Sequence, residues 1–205
     1  MLEEARGLGF LGPGPVAGQL DHAGGFAAVV RELFGAGGPG VAGDLGSGGG
    51  VPGLVLAMTF PSCHWILVES MVRRAAFLRS AVAELRLGEC VTVVEERAEV
   101  VGRSVGYRGR LDLVVARGFG PPAAAAECAA PLLRVGGHAV VSEPPGGDPG
   151  RWPAGDLAQL GLVPAPAPAP ATSGGGWAYQ VLVQESPCPG RFPRRVGVPT
   201  KRPLF

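Results

Sequence analysis

The chain has almost no excess charge of either sign. Its 205 residues include 18 basic and 17 acidic ones, which leaves a formal net charge of +1. A protein this close to neutrality does not attract a polyanion through its overall field, so any contact with nucleic acid must come from local basic patches. Lysine is nearly absent, because Lys201 is the only one. Together with abundant alanine, glycine and proline, this indicates the coding bias of a GC-rich genome.

Cysteine is sparse, and its spacing carries no metal signature. No Cys-x-x-Cys pair occurs, and no histidine lies at a ligand spacing from any cysteine. Zinc sites depend on such spacings, so we predict no metal site. The four positions, Cys63, Cys90, Cys128 and Cys188, are typical of small buried hydrophobic residues in a reducing compartment.

Long hydrophobic runs are also missing. No uninterrupted apolar run reaches the roughly 18 residues of a bilayer-spanning helix. Residues 1–6 do not begin the basic and then apolar pattern of a secretory signal. We therefore expect a cytoplasmic protein with no membrane span, and we expect a monomer. The apolar content of 46% suffices for a sizeable core, and the length predicts one domain with at most a small appendage.

One stretch, Val41–Gly53, combines a short strand, a glycine turn and the start of a helix. Its strand closes with Asp44, and Pro52 stands at a first-turn position where a missing N–H costs nothing. The turn, residues 46–50, is called the glycine turn below. Its glycines let the backbone approach a ligand without a clashing Cβ, and the helix N-terminus offers unpaired N–H groups. The stretch therefore predicts a nucleotide-sized binding site.

Two registers of this stretch compete. Residues 48–53 match the Gly-x-Gly-x-x-Gly fingerprint of a dinucleotide site, which binds a pyrophosphate. Residues 44–50 match an acid followed by alternating glycines, the pattern of S-adenosylmethionine (SAM) sites. Asp44 is unfavourable beside a pyrophosphate and favourable beside the cationic methionine portion of SAM, and Pro52 removes an N–H that a phosphate would use. The sequence favours SAM, while a dinucleotide site and a turn without ligand stay open.

Strands and helices alternate after this stretch, which predicts a doubly wound α/β sheet with its ligand at the carboxyl ends of the strands. We expect an N-terminal helical cap over residues 1–37, a binding domain over 38–185 and a basic tail over 186–205 that its prolines keep extended. Predicted strands cover 41–45, 65–68, 91–94, 111–116 and 138–142, with a closing strand over 177–183 and an edge strand or loop over 163–171. Predicted helices cover 16–34, 51–58, 71–87, 123–133 and 152–160.

Three polar positions follow predicted strands and are candidates for ligand contact. Glu69 ends the second strand, where an acid can accept hydrogen bonds from both ribose hydroxyls; a strand-end acid facing water is the alternative. The acidic turn over residues 95–99 follows the third strand, where an adenine would lie. Arg117 ends the fourth strand, where it would orient an acceptor or bind a methionine carboxylate; pairing with Asp112 or Glu99 is the alternative.

Basic residues cluster in two places. A pair lies on the helix after the second strand, on a face that is either solvated or turned toward RNA. The tail has five cations and no acid, so it either lies along nucleic acid or pairs with the body of its own protein. The candidate phosphate contacts are Arg73, Arg74, Arg191, Arg194, Arg195, Lys201 and Arg202.

Several of these segments together resemble one family. The segments are Asp-Leu-Gly-Ser-Gly-Gly-Gly-Val-Pro-Gly-Leu (44–54), Leu-Val-Glu-Ser (67–70), Arg-Arg-Ala-Ala-Phe-Leu-Arg (73–79), Arg-Ala-Glu (97–99), Val-Ala-Arg (115–117) and Phe-Pro-Arg-Arg-Val-Gly-Val-Pro-Thr-Lys-Arg-Pro (192–203). In combination they resemble RsmG, also called GidB, the methyltransferase of guanine N7 in 16S ribosomal RNA. The similarity spans residues 40–145 and the tail.

The resemblance implies a class I SAM-dependent methyltransferase, whose Rossmann-like sheet is mostly parallel with an antiparallel closing strand. It implies SAM as cofactor, and 16S rRNA or the small ribosomal subunit as partner. By motif, it carries over SAM contacts to Gly46, Val51, Ala98, Glu99 and Arg117. The physical argument above adds Asp44, Gly48, Gly50 and Glu69 to the predicted cofactor site.

The sequence departs from the family after the fifth strand, where Glu143 stands in place of a common lysine. Alternatives therefore stay open: a methyltransferase for a small molecule or another RNA, or a SAM-binding relative without catalysis. Methylation at N7 needs no general base, because the attacking lone pair carries no proton. The sequence accordingly identifies no certain catalytic residue, and Arg117 is the candidate for orienting the acceptor.

Overall fold

Seven strands form one sheet in the computed structural model, which describes residues 1–166 and 176–205. The strands are β1 (Val41–Leu45), β2 (His64–Val68), β3 (Val91–Val94), β4 (Leu111–Ala116), β5 (Leu133–Glu143), β6 (Leu162–Ala165) and β7 (Ala178–Gln184). The α-helices of the described residues are α1 (Leu2–Gly7), α2 (Val16–Phe34), α3 (Gly53–Thr59), α4 (Val72–Glu84), α5 (Ala98–Val101), α6 (Pro122–Ala129), α7 (Ala154–Ala158) and α8 (Val198–Lys201). A short 3-10 helix covers Pro149–Arg151.

The strand order is β3-β2-β1-β4-β5-β7-β6. The first five strands are parallel to one another, and β7 runs antiparallel to both of its neighbours. The chain winds outward from β1 in one direction and from β4 in the other. Ligands of such sheets bind in the crevice at the carboxyl ends of the strands where this reversal occurs. The predicted doubly wound sheet with an antiparallel closing strand is confirmed.

Both faces of the sheet are covered by apolar side chains. Along β4, Leu113 packs with α2, α3 and α4 on one face, while the next residue, Val114, packs with α5, α6 and α7 on the other. Successive side chains of a strand point to opposite faces. A parallel strand covered on both faces is therefore apolar along its whole length, which is the pattern of residues 111–116.

Several element ends differ from the sequence prediction. The helix predicted to reach residue 133 ends at Ala129, and β5 already begins at Leu133. A register shift in its pairing with β4 places residues 134–137 opposite Asp112 alone, so the strand continues through Gly136 and Gly137. α4 ends at Glu84, and α7 is confined to Ala154–Ala158 behind the 3-10 helix. β6 pairs with β7 at the sheet edge, and the rest of the predicted segment 163–171 beyond Pro166 lies outside the described residues.

The N-terminal cap joins the core of the sheet. α2 spans the predicted residues, and its Phe26 and Val30 are fully buried in the same cluster as strand residues. The Tyr179 hydroxyl of β7 donates a hydrogen bond of 2.8 Å to the carbonyl of His22. Tyr179 also leaves no room for a Cβ at Gly25, so α2 and β7 are in direct contact.

The tail packs against the body, one of the two roles predicted for it, and hydrogen-bonded turns at 189–192 and 195–201 interrupt the extended course expected from its prolines. The Arg194 side chain donates to both oxygens of the fully buried Glu127 on α6, and the Arg194 N–H donates to the same carboxylate at 2.7 Å. Arg108 donates to four carbonyls, two of which, those of Cys188 and Phe192, lie at 2.8 Å. These contacts hold the tail in one path, which ends in the single turn of α8.

Within the two described ranges, the structure has no helix that is both long and apolar enough to cross a bilayer.

Replacing Arg194 should destabilise the fold strongly. Arg194→Ala leaves the buried Glu127 carboxylate without its cation, which typically costs about 3–5 kcal/mol. The matched control is Arg195→Ala, because Arg195 is exposed and a surface substitution usually stays within about 0.5 kcal/mol. Urea unfolding of the three proteins measures the difference. Equal midpoints for both variants would contradict the anchoring role of Arg194.

Candidate active site

Two adjoining cavities lie at the carboxyl ends of the parallel strands. The first cavity has a volume of about 520 Å³ and lies between the glycine turn, residues 10–13 and the ends of β4 and β5. The second cavity, of about 390 Å³, lies between the ends of β2 and β3 and the tail. Both cavities are lined by Gly46, Arg74, Gly118 and Phe119. They therefore meet at the glycine turn, where the strand order reverses.

The glycine turn has a backbone that only glycine adopts easily. Gly46 has a φ of +69° and Gly48 a φ of +53°. A Cβ on Gly46 would lie 2.9 Å from the Phe119 ring, and one on Gly48 would lie 3.1 Å from the Phe10 carbonyl oxygen. The carbonyl of Val68 holds the turn from β2, because it accepts hydrogen bonds from the N–H groups of residues 46 and 47. Gly46 thus presents backbone without a Cβ to both cavities, and Gly48 presents it to the first.

Glu69 lies where the sequence predicted an acid for the ribose. Only 4% of the residue is exposed, and its carboxylate lines the second cavity. One oxygen accepts from the Gly48 N–H at 3.0 Å and the other from the Met71 N–H at 2.8 Å. Since each carboxylate oxygen has two lone pairs, both can accept a further hydrogen bond from a ligand. The alternative of a strand-end acid facing water does not describe this placement.

Asp44 lies beneath the glycine turn and lines neither cavity. It is 1% exposed, and its carboxylate accepts a hydrogen bond of 3.1 Å from the Gly53 N–H at the start of α3. Burial raises its pKa from the ordinary 3.8 to about 6, against smaller opposing effects from the Ser47 and Gly53 hydrogen bonds and from Arg117. Gly50 also lies outside both linings, and its φ of +89° shapes the turn.

Val51 and Arg117 line the first cavity, as the predicted site requires. The Arg117 guanidinium donates to the side-chain oxygen of Gln19 on α2. The alternative partners are engaged elsewhere, because Asp112 pairs with Arg134 and Glu99 binds the tail. Arg117 therefore faces the cavity on the side of the cap.

Ala98 and Glu99 line the second cavity together with Thr200 of the tail. Glu99 is buried and accepts a hydrogen bond of 2.8 Å from the Gly197 N–H. Its other oxygen lies 3.8 Å from the Nε of Arg97. The tail is thus one wall of this cavity, a role that its composition alone did not indicate.

Aromatic residues that sequence reasoning did not select border the first cavity. The His22 ring stacks on Trp177 with centroids 4.1 Å apart and planes 1° apart, and both residues line the cavity with Phe10 and Phe119. His22 is 7% exposed, and burial, followed by the charge of Arg117, lowers its pKa to about 4. It is therefore neutral at pH 7. Phe119 lies in the bend after β4 and Trp177 directly precedes β7, and the sequence pattern at a strand end does not show which side chains border a cavity.

The candidate phosphate contacts divide into two groups. Arg74 is half-buried, lines both cavities and lies over the Phe10 ring at 5.8 Å, while Arg194 is bound to Glu127. The other five are exposed: Arg73, Arg191, Arg195, Lys201 and Arg202. In residues 1–166 and 176–205, no three His, Cys, Asp or Glu side chains lie close enough together to hold a metal ion.

Solved structures share this fold at low sequence identity. A SAM-dependent O-methyltransferase from Thermotoga maritima superposes with a TM-score of 0.55 at 15% identity, covering 77% of this chain and 63% of that one. A chain from Klebsiella pneumoniae assigned as an O-methyltransferase gives a TM-score of 0.58 at 17% identity, covering 88% and 86%. The fold, with its cavities at the switch point of the sheet, is that of the class I methyltransferases.

Sequence comparison narrows this class to a family. Residues 28–142 match the GidB family model, described as rRNA small subunit methyltransferase G. Relatives named ribosomal RNA small subunit methyltransferase G include one from Prochlorococcus marinus, 37% identical over 78% of this chain and 66% of the relative, and one from Rubrobacter xylanophilus, 39% identical over 78% and 64%. The chain belongs to this family, and the resemblance noted in the sequence is confirmed. The chain spans slightly less than two thirds of the length of the curated relatives it matches.

The buried Asp44 predicts a specific pH dependence of stability. Because its folded-state pKa is raised, Asp44 stabilises the fold below pH 3.8, and this contribution is lost as the pH rises through about 6. Asp44→Asn removes the ionisation. The free energy of unfolding of the variant should therefore rise by about 2–3 kcal/mol relative to wild type between pH 4 and pH 8.

Denaturant unfolding at the two pH values measures this change, and any pH-independent cost of the amide cancels in the comparison. Asp21→Asn, which removes an exposed carboxylate from α2, is the control and should show no such change. A difference between Asp44→Asn and wild type that stays constant with pH would contradict the assignment.

Proposed function

We propose that this protein binds SAM across the two cavities and transfers its methyl group to N7 of a guanine in the 16S rRNA of the small ribosomal subunit. The observation that carries the proposal is the meeting of two cavities at Gly46, which has no Cβ, in a chain of the small-subunit rRNA methyltransferase family. A dinucleotide would need phosphate donors at the helix start, where Pro52 has none.

The residues of the second cavity fit the adenosine portion of SAM. Glu69 offers two carboxylate oxygens to ribose hydroxyls, and it is held in position by two backbone N–H groups. Ala98 and Glu99 flank the space for the base, which the tail closes at Thr200. Gly46 joins this cavity to the first one, so one extended ligand can occupy both.

The residues of the first cavity fit the methionine portion and the acceptor. The backbone of Gly46 and Gly48 and the side chain of Val51 form its floor, and Arg117 offers a cation to a carboxylate or to the acceptor. Asp44 does not line the cavity, but its ionised carboxylate next to the glycine turn favours a cation bound in the first cavity.

The proposed reaction needs no general base from this chain. Bound SAM supplies a methyl group made electrophilic by the attached sulfonium. In the transfer, the N7 lone pair of guanine would form the bond to the methyl carbon while the methyl–sulfur bond breaks and S-adenosylhomocysteine leaves. Because N7 loses no proton, no side chain has to act as a base. The task of the chain is to hold acceptor and cofactor in line, and such positioning accounts for a large part of many rate accelerations.

The exposed cations provide the proposed contact with rRNA. Arg73 on α4 and the tail residues Arg191, Arg195, Lys201 and Arg202 are free to meet phosphates, and such contacts weaken as salt rises. Arg74 and Arg194 are excluded from this set, because the first lines the cavities and the second anchors the tail. We further propose that the protein acts as a monomer and in the cytoplasm, where ribosomal subunits are its substrate.

A side chain at Gly46 should strongly weaken SAM binding. Gly46→Val forces a branched residue into a φ of +69° and toward Phe119, and strain of this kind costs about 1–3 kcal/mol. Relief of the strain displaces the turn into the cavities, so we expect the SAM affinity to fall by more than about tenfold. Gly88→Val is the control, because Gly88 is exposed and has open space around its Cβ position.

Titration calorimetry with SAM measures both affinities, and thermal melting reports whether each variant folds. A Gly46→Val protein that folds and binds SAM with wild-type affinity would contradict the location of the site.

The acceptor is tested by methyl transfer from labelled SAM to small ribosomal subunits taken from a strain without the family enzyme. We expect label on N7 of one guanine of 16S rRNA, identified by base mapping. If the protein binds SAM but no label appears on the subunit, the proposed acceptor is wrong and the proposed cofactor site is unaffected. Absence of SAM binding would contradict both.

A further inference from the structure

Glu143 is a buried acid in the wall of the first cavity that the functions above do not use. It is the last residue of β5, is 8% exposed and lines the cavity together with Ser142 and Pro144. A carboxylate this deeply buried requires partners, because loss of hydration disfavours its charge. Its position at the end of β5 places it on the opposite side of β4 from the glycine turn.

One partner holds Glu143 from outside the cavity. The Arg151 guanidinium of the 3-10 helix donates to its Oε2. Arg151 lines a separate surface cavity and does not line the first one. Among the described residues, no hydrogen bond is donated to Oε1. The ion pair therefore fixes the carboxylate and leaves Oε1 and the second lone pair of Oε2 to accept hydrogen bonds from a ligand in the first cavity.

We propose that Glu143 reads the Watson–Crick edge of the acceptor guanine, accepting hydrogen bonds from its N1–H and its 2-amino group. This proposal rests on the function proposed above and adds the residue that selects the base. N7 lies on the opposite side of a purine from those two donors. A guanine whose N7 points toward the glycine turn therefore points its donors toward the end of β5.

The dimensions of the sheet agree with this orientation. β4 lies between β1 and β5, so two inter-strand steps of roughly 4.8 Å each separate the glycine turn from Glu143. Phe119 and Trp177 line the same cavity and supply apolar ring faces. RNA bases taken out of a strand are typically stacked on aromatic side chains and recognised at their Watson–Crick edge.

The same geometry rejects adenine. Adenine has no 2-amino group, and its N1 is an acceptor, so its lone pair would face the Glu143 carboxylate without a proton between them. A site that is built to satisfy a donor discriminates strongly against an analogue that lacks it, since its buried polar group stays unpaired. Glu143 is thus a specificity-determining residue, and Arg151 is its positioning residue.

Nucleotide binding tests this proposal independently of turnover. Guanosine 5′-monophosphate and adenosine 5′-monophosphate are titrated into the full chain saturated with S-adenosylhomocysteine, which keeps the adenosine site filled. Wild type should prefer the guanosine nucleotide. In Glu143→Gln that affinity should fall by about 10- to 100-fold, the range for hydrogen bonds to a charged group, and the preference should disappear.

Two further variants complete the design. Glu185→Gln, which alters an exposed acid outside the first cavity, should behave as wild type. Arg151→Ala leaves Glu143 in place without its support and should reduce the preference for guanosine without reversing it. Thermal melting checks that each variant folds. Equal affinity of wild type for the two nucleotides, no saturable binding of the guanosine nucleotide, or a preference that survives Glu143→Gln would overturn the proposal.

Methyl transfer separates this proposal from the function on which it rests. If wild type and Glu143→Gln label 16S rRNA equally well, Glu143 does not recognise the acceptor guanine, and the proposed function is still supported. If wild type labels no rRNA but its preference for guanosine depends on Glu143, the acceptor named above is wrong and recognition of guanine by Glu143 is supported.

Discussion

The close approach of the Gly46 backbone to the Phe119 ring is the constraint on which the rest of the site depends. No side chain fits between them, and the backbone there has a positive φ. The turn is held on the protein side by the Val68 carbonyl and by the Glu69 carboxylate, which accepts from Gly48. Because Val68 ends β2 and Glu69 directly follows it, next to β1 in the sheet, the strand register fixes the turn. The two cavities therefore meet at a point that the core of the protein determines.

Buried acids form a common pattern around this turn. Asp44, Glu69 and Glu99 each accept a hydrogen bond from a backbone N–H, donated by Gly53, Gly48 and Gly197 respectively. A carboxylate taken out of water is tolerated when such donors replace its hydration. Each acid thus fixes a loop and at the same time gives the site negative charge. Asp44 thus fixes the start of α3 without lining either cavity, and its contribution to SAM binding stays a prediction.

The sequence predicted the parts of the site that depend on local signals. The strands that carry Asp44 or directly precede Glu69 and Arg117 follow from apolar runs, and the turn follows from its glycines. The sequence did not predict the stacking of His22 on Trp177, because the two residues are distant in the chain and meet only when α2 packs beside β7. The path of the tail was missed for the same reason, since its cations look alike until Glu127 binds one of them. Which residues contact SAM and rRNA stays a prediction.

The tail shows why composition alone could not decide between its two predicted roles. Arg194 and Arg195 are adjacent and chemically identical, yet the first is bound to a buried carboxylate and the second is exposed. Packing thus divides one basic segment into an anchor and a surface that can meet phosphate. The anchored part also brings Gly197 to Glu99 and Thr200 to the second cavity. A segment proposed to contact RNA is therefore also a wall of the proposed cofactor site, so a displacement of the tail by RNA would be felt where the adenosine of SAM is expected to bind.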